Sequence, residues 1–186
     1  MSLLTTLLMV TALMPLWALA SPAARVAVLP IDLNDVSNQP VPPELRTRLG
    51  LLTEALRTRL ATACGYTVVQ PPGQPARPPQ DEKPGYYYAH PDLAVGESGS
   101  DQSDWVIIPR LNRASPWVAD LQAHVVRVRD TTIVSNRIVE IKGLELTPEL
   151  ASRLVDRGAA WMADQISQSI ETASGAEAAA RRRCRA

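Results

Sequence analysis

The densest group of chemically active side chains lies in RVAVLPIDLNDVSNQP, residues 25–40. Asp32, Asn34 and Asp35 follow an apolar run and supply carboxylate and amide oxygens, the ligands that Ca²⁺ prefers. Ligands of α/β sheets gather beyond the carboxyl ends of strands, where these residues are expected to lie. The same side chains also cap the backbone where a chain leaves a strand. The stretch lacks the central glycine and distal glutamate of a known calcium loop, so we favour a turn and keep the metal site as the alternative.

A second candidate is the aromatic run YYYAHPDL, residues 86–93. Tyr86, Tyr87, Tyr88 and His90 could stack on a ligand or on a partner protein. The tyrosines could instead fix their loop onto the domain, and this second interpretation is the one we favour. Together with the acidic stretch, these residues complete the predicted set of binding residues.

Enzymatic motifs are missing from the sequence. No glycine loop of the form GxxxxGK[ST] or GxGxxG occurs, and in GESGSD, residues 96–101, the glycine falls one place too early for a nucleophile elbow. His124 shares the polar side of a predicted strand with Asp120, where a solvated side chain is expected more often than a catalytic base. We therefore predict no enzyme, no catalytic residue, no metal ligand and no cofactor.

The charge balance bears on the class of partner, and the amino-terminal segment bears on the location of the protein. The chain of 186 residues has 19 basic and 19 acidic residues, and its arginine-rich end leaves the body slightly acidic, which argues against nucleic acid as a partner. Residues 1–20 are apolar and end in the small-x-small pattern Ala18-Leu19-Ala20, so we predict a signal peptide cleaved near Ala20. Pro15 interrupts the run and argues against the alternative, a membrane anchor. The expected location is the periplasm or the extracellular medium.

The carboxyl-terminal segment and the cysteines carry further expectations. Residues 174–186 are predicted to be a disordered arginine-rich tail whose weak attraction to anionic lipid is its only functional suggestion. Cys64 and Cys184 could form a disulfide in an oxidising compartment. We favour the alternative, in which Cys64 is an unpaired buried residue.

Hydrophobic periodicity predicts the elements that position these residues. An apolar run at residues 24–31 predicts a strand, leucines spaced by three and four predict a helix ending near Gly65, and residues 66–70 predict a second, parallel strand. Prolines in residues 71–103 predict a long surface loop without regular structure. Three strands between Trp105 and Gly143, the last two antiparallel, and a helix after Thr147 complete one domain over residues 24–172.

The predicted fold class is α/β (α+β), a two-layer domain. A small mixed sheet of about five strands packs against two long amphipathic helices in the order β-α-β-(long loop)-β-β-β-α.

The motifs VAVLPIDLND, DWVIIPRLNRAS and VVRVRDTTIVSNRIVEIKG, with the closing helix, resemble the secreted bacterial domain-of-unknown-function families 2380 and 3280. The resemblance covers about residues 24–172 without the proline loop. Those families are similar in layout to the amino-terminal domain of TolB and to periplasmic lipoproteins related to CsgG and LpoB. The resemblance implies a module that works through protein contacts. This sequence departs from the lipoproteins in lacking their lipid-anchor cysteine, and its proline loop is unusually long.

These observations define the expected function. We expect an exported, non-enzymatic binding or accessory module that contacts another envelope protein through the Tyr86–His90 loop or through a sheet edge. The alternative is a small-ligand or calcium-binding domain with its site at the end of the first strand. A hydrolase that uses His124 with Asp120 is the least favoured class.

Overall fold

The computed structural model describes residues 23–70, 85–98, 102–143, 148–175 and 184, without the side chains of 148–150. The predicted signal peptide, most prolines of the long loop and most of the tail lie outside these ranges. The elements follow the order β1 (Arg25–Val28), β2 (Asp32–Asp35), α1 (Pro43–Thr62), β3 (Thr67–Val69), α2 (Tyr86–Ala89), α3 (Pro91–Glu97), β4 (Trp105–Arg113), β5 (Val118–Arg127), a short 3₁₀ turn (Val128–Asp130), β6 (Thr132–Lys142) and α4 (Pro148–Ala173).

The strands form one mixed six-stranded sheet, which confirms the predicted fold class with one strand more than expected. The order is β3-β1-β4-β5-β6, and β2 pairs separately with β4. β1 runs parallel to β3 and β4, β2 runs parallel to β4, and β4, β5 and β6 are antiparallel. The parallel pairing of β1 with β3 was expected from the helix between them.

The first strand is shorter than predicted, Arg25–Val28, and the additional strand arises because the chain pairs with β4 again at Asp32–Asp35. The segment that joins β1 to β2 has one residue more than the stretch of β4 it faces, so the chain bulges between the two strands. The Leu29 N–H donates to the Ile107 carbonyl at 3.0 Å, so alternate residues of β4 from Ile107 onward turn their backbone groups toward β1 and β2. Pro109 is one of these and has no N–H to offer. A proline in a central strand is tolerated at such a bulge.

The main core lies between the inner face of the sheet and the long helices α1 and α4. The predicted leucine stripe of α1 is buried, at Leu45, Leu49, Leu52, Leu56 and Leu60. It packs with Val155, Met162, Ile166 and Ile170 of α4 on the inner side chains of the sheet. Each buried leucine contributes roughly 1.5–3 kcal/mol of transfer free energy, so this stripe fixes the helix on the sheet.

The end of α1 follows the sequence prediction. Gly65 has φ +75° and the Tyr66 N–H donates to the Leu60 carbonyl at 3.0 Å, the closure that a left-handed glycine permits.

Cys64 and Cys184 form a disulfide. The unpaired-cysteine interpretation is therefore wrong, because the chain returns its distant end to the end of α1.

Residues 85–98 correct the prediction of a loop without regular structure. They form α2 and α3, which cover the outer face of the sheet and bury Tyr88, Ala94 and Val95 against Val106 and Ile108. Pro91 lies in the first turn of α3, where its missing N–H costs nothing. Apolar side chains at helical spacing therefore outweigh the nearby prolines.

β5 and β6 have two local irregularities that match their sequences. The alternation of apolar residues in β5 slips at Val126, and the register with β6 shifts between Val125 and Val126 as a bulge requires. The turn between the strands contains Thr131 at φ +54°. Within the described ranges, no helix combines the length and apolar character needed to cross a membrane.

Candidate functional site

Asp32, Asn34 and Asp35 lie in a strand, which corrects the prediction that they form a turn. Residues 32–35 are β2, paired in parallel with β4. The turn begins one residue later, where Asp35 Oδ1 accepts a hydrogen bond from the Ser37 N–H at 2.9 Å. The stretch looked like a turn because its polar residues are typical of turns, whereas an edge strand also accommodates them.

The strand does not gather the three side chains at one point. Asp32 and Asn34 lie opposite Arg110 and Asn112 on the outer face, and Asn34 Nδ2 donates to Asn112 Oδ1 at 2.7 Å. Asp35 has the opposite parity and faces the inner side. Among the described residues, no group of three or more His, Cys, Asp or Glu side chains could hold a metal ion. The calcium alternative thus lacks converging carboxylates.

Asp35 belongs to a buried ion pair with Arg113. Arg113 Nη1 lies 2.9 Å from Asp35 Oδ2, and it also donates to Ser37 Oγ and to the Gln39 carbonyl. Burial acts to raise the pKa of Asp35, but hydrogen bonds from Ser37 and Arg113 outweigh it and hold the pKa below its ordinary value. The pair ties the end of β2 to the segment that leads into α1. It is an architectural contact.

Tyr88 occupies a polar recess on the outer face of the sheet. Its ring stacks on His124 at 3.7 Å between ring centroids, and the Arg110 guanidinium lies 3.7 Å from the Tyr88 centroid. The Tyr88 hydroxyl donates to Asn136 Oδ1 at 2.7 Å. Burial raises the pKa of this hydroxyl, so the proton needed for that hydrogen bond is retained. The contacts come from three strands, β4, β5 and β6.

The two predicted sites meet at this recess. Asp32 Oδ2 accepts a hydrogen bond from the Gly85 N–H, directly before α2. Tyr86 packs against His90 with ring centroids 4.8 Å apart, and the Tyr87 hydroxyl donates to Glu97 in α3. Tyr88 therefore fixes the segment on the domain, as the favoured interpretation has it, whereas these contacts of Tyr86 and Tyr87 lie within the segment itself. Among the four aromatic candidates, only His90 is exposed, whereas Tyr86 and Tyr87 are half-buried.

His124 is covered by Tyr88, which corrects the expectation of a solvated side chain. Its Nδ1 is buried and has no hydrogen-bond partner among the described residues. Burial, followed by the nearby Arg110 charge, lowers the pKa of His124 below its ordinary 6.5. A general base needs a second group that orients its other nitrogen. This unpartnered Nδ1 therefore gives no support to a hydrolase built on His124 and Asp120.

The lowered pKa of His124 predicts acid sensitivity. Below about pH 6.5 the unfolded chain binds more protons than the fold at this residue, so the free energy of unfolding should decrease as the pH falls from 6.5 toward the folded-state pKa. Above about pH 6.5 the contribution of His124 to the free energy of unfolding no longer changes with pH. Denaturant unfolding between neutral and mildly acidic pH measures the slope. In His124→Gln the free energy of unfolding should change less with pH than in wild type. A slope equal to that of wild type would contradict the assignment to His124.

A different surface lies at the opposite, open side of the sheet. β6 has eleven residues and pairs only with β5 among the described strands, so its far edge is open. Ile138 on this strand is 58% exposed, and Trp161 on the neighbouring helix α4 is 47% exposed. Two pockets between β6 and α4 share Glu140 and Trp161, and we call them together the groove. Their lining residues are Ile138, Val139, Glu140, Ile141, Lys142, Leu154, Arg157, Gly158, Trp161, Asp164, Gln165 and Gln168.

The open edge presents backbone hydrogen-bonding groups. The Gly143 N–H donates to the Trp117 carbonyl at 2.7 Å, which makes this a hydrogen-bonded pair of the β5–β6 ladder. Hydrogen-bonded and non-hydrogen-bonded pairs alternate in antiparallel strands. The N–H and carbonyl groups of Asn136, Ile138 and Glu140 therefore point away from β5 and toward the edge.

Sequence reasoning missed this groove, although one signal was present. Trp161 is apolar, but it lies on the flank of α4 and is 47% exposed. Leu154, Arg157, Trp161, Asp164 and Gln168 recur at spacings of three and four and form a stripe beside the edge strand. A mixed apolar and charged stripe next to the true core stripe is the feature that indicated a second face.

Comparison with known proteins gives structural neighbours alone. No protein-family model matches the chain, and no curated protein matches it. TolB from Acinetobacter baumannii is similar at a TM-score of 0.48 and 12% identity over 82% of this chain and 29% of that one. The PelC dodecamer from Paraburkholderia phytofirmans has a TM-score of 0.44 and 12% identity over 73% of this chain and 84% of that one. The C-terminal domain of LpoB from Salmonella enterica has a TM-score of 0.40 and 16% identity over 66% and 86%.

These similarities concern layout. TolB and LpoB, which the sequence resemblance named, are among these neighbours, at TM-scores of 0.48 and 0.40. Membership of families 2380 and 3280 is not supported, because no family model matches. The chain matches less than a third of the TolB chain. At these identities and scores, no activity or partner is transferred to this protein.

Proposed function

We propose that this chain is an exported, non-enzymatic binding module that contacts another protein of the cell envelope through the open edge of β6. The observation that carries the proposal is the eleven-residue edge strand with outward backbone groups beside the exposed Ile138 and Trp161. Long open edges readily accept a further strand, and natural proteins usually protect them with proline, bulges, covering loops or charged side chains. In β6 the register shift lies before Ser135 and charged side chains flank Ile138 at Arg137 and Glu140, whereas residues 136–140 have no proline and no covering loop in the described ranges.

The alternative contact surface, the Tyr86–His90 segment, is less favoured. Tyr88 is buried in the recess on the sheet, and Tyr86 and Tyr87 are engaged by neighbours within the same segment. A partner would have to displace these contacts before it could use the aromatic rings. The open edge needs no such displacement, because its backbone groups already face outward.

Capture from envelope extracts tests the proposal. Wild-type protein should recover a defined partner, and Ile138→Pro should recover about tenfold less, because proline removes an outward N–H on which an added strand depends. Ile138→Thr keeps that N–H and is the matched control for loss of the isoleucine side chain. It should recover the partner. The unfolding free energy of Ile138→Pro should stay within about 1 kcal/mol of wild type, because the missing N–H is outside the β5–β6 ladder.

The opposite results are equally clear. Recovery of the same partner by Ile138→Pro would exclude the edge as the contact. A partner lost instead on substitution of Tyr86 and Tyr87 by alanine would assign the contact to the aromatic segment. Recovery of no partner by wild-type protein would count against a binding module altogether.

A further inference from the structure

We propose that the segment added to β6 carries a lysine or arginine whose side chain enters the groove and binds Asp164. This inference rests on the proposed contact at the β6 edge and specifies the chemistry of the partner. A strand placed beside β6 directs alternate side chains toward the flank of α4, since side chains of a strand alternate between the two faces of its sheet. The residues on that flank therefore select the partner.

Asp164 is the groove residue whose hydrogen-bonding capacity is not satisfied. It lines the groove, and its Oδ1 is buried without a hydrogen-bond donor among the described residues. The structure shows no ion pair of Asp164 with any described cation. A carboxylate oxygen shielded from water and from donors is unfavourable. An ammonium or guanidinium group entering the groove would supply both the donor and the charge.

The neighbouring groups favour a cation at this position. Gln165 turns its acceptor oxygen Oε1 to Arg137 at 3.3 Å, and its amide nitrogen does not donate to Asp164 Oδ1. Glu140 adds negative charge on the strand side and is only partly compensated by Lys142 at 3.4 Å, an exposed pair. The Arg157 guanidinium lies 4.4 Å from the Trp161 ring centroid, and the part of the ring that stays exposed is an apolar wall along which the methylene stem of a long basic side chain can pack.

The same geometry argues against a second copy of this chain as the occupant. If two β6 edges paired, the inward-facing side chains of one copy would lie over the groove of the other. The only cation on the inner face of β6 is Arg137, and it is held by Ser169 Oγ at 2.7 Å and by Gln165. A second copy would therefore bring no free cation to Asp164.

Selection from a library of displayed random peptides, with the full-length protein purified from its producing cell as the target, tests this inference. Wild-type protein should enrich β-prone peptides that carry lysine or arginine at one fixed position. Asp164→Asn should enrich β-prone peptides without that basic position. A synthetic peptide chosen by the wild type should bind Asp164→Asn about tenfold more weakly, with a smaller dependence on salt.

The control and the contrary outcomes separate this inference from the proposed function. Asp156→Asn makes the same charge change on an exposed position of α4 outside the groove and should bind as wild type. An equal basic preference in Asp164→Asn, or none in wild type, overturns the inference and leaves the edge contact standing. Peptides retained by Ile138→Pro, or none enriched by wild type, overturn both. Self-association abolished by Ile138→Pro in sedimentation would assign the edge to a second copy and overturn the inference.

Discussion

Replacing Arg113 with methionine is expected to lower the free energy of unfolding by about 3–5 kcal/mol, the usual cost of removing one partner of a buried ion pair. The Arg113 side chain is 2% exposed and that of Asp35 is 19% exposed. Methionine has a similar length but no charge, so the Asp35 carboxylate stays covered without its cation. Urea unfolding at neutral pH, followed by tryptophan fluorescence, measures the loss.

The expected loss is large because Arg113 satisfies several acceptors at once. Besides Asp35, it donates to Ser37 Oγ, to the Gln39 carbonyl at 3.2 Å and to the Pro40 carbonyl at 3.4 Å. These carbonyls lie in the segment between β2 and α1. Without the guanidinium this segment loses all of these hydrogen bonds together, and hydrogen bonds from a charged donor are among the stronger ones.

Two further variants separate the ion pair from a general effect of losing an arginine. Arg153→Met removes an exposed arginine of α4 and should change the free energy of unfolding by no more than about 0.5 kcal/mol. The double variant Asp35→Asn with Arg113→Met should be more stable than Arg113→Met alone, because it leaves no unpaired charge. A loss below about 1 kcal/mol for Arg113→Met would show that the pair does not hold the segment in place.

The features that could be predicted from the sequence depend on residues that are close together in the chain. The leucine spacing of α1, its glycine stop at Gly65 and the slip of alternation at Val126 are each visible within a short window. Periodicity reports which face of an element is buried, and this is enough to assign two helices and a mixed sheet. The fold class followed from these local signals.

The features that could not be predicted depend on residues far apart in sequence. The strand β2 is defined by its pairing with β4, and nothing in the sequence near Asp32 indicates that partner. Asp35 and Arg113 are 78 residues apart, so the acid that suggested a calcium ligand gave no sign of its cation. Long-range register decided these assignments, and a single sequence does not display it.

The candidate site shows the same division. Tyr88 was identified as a notable residue from its own run, but the strand residues beneath it, His124 and Asn136, belong to separate parts of the chain. Asp164 carried no signal at all, because an acid on the flank of an amphipathic helix is ordinary. Only the burial of its Oδ1, without a donor among the described residues and beside an open strand edge, sets it apart.

Reduction of the Cys64–Cys184 disulfide is expected to lower the free energy of unfolding by about 2–5 kcal/mol. The two cysteines are 120 residues apart in sequence. A cross-link stabilises mainly by restricting the unfolded chain, and in the chain-entropy model a loop of about 100 residues corresponds to about 4.7 kcal/mol. Denaturant unfolding with and without dithiothreitol measures the difference.

Cys184→Ser is the variant that isolates the bond from the packing of the core. Cys64 is 8% exposed and belongs to the main core, so serine there would also bury a hydroxyl, whereas Cys184 is only partly buried. Cys184→Ser should reproduce the stability of the reduced wild type, and dithiothreitol should not lower it further. If reduction left the wild type unchanged while Cys184→Ser was destabilised, the effect would come from the lost side chain. Equal losses from reduction and substitution assign the stability to the link between the end of α1 and the distant segment around Cys184.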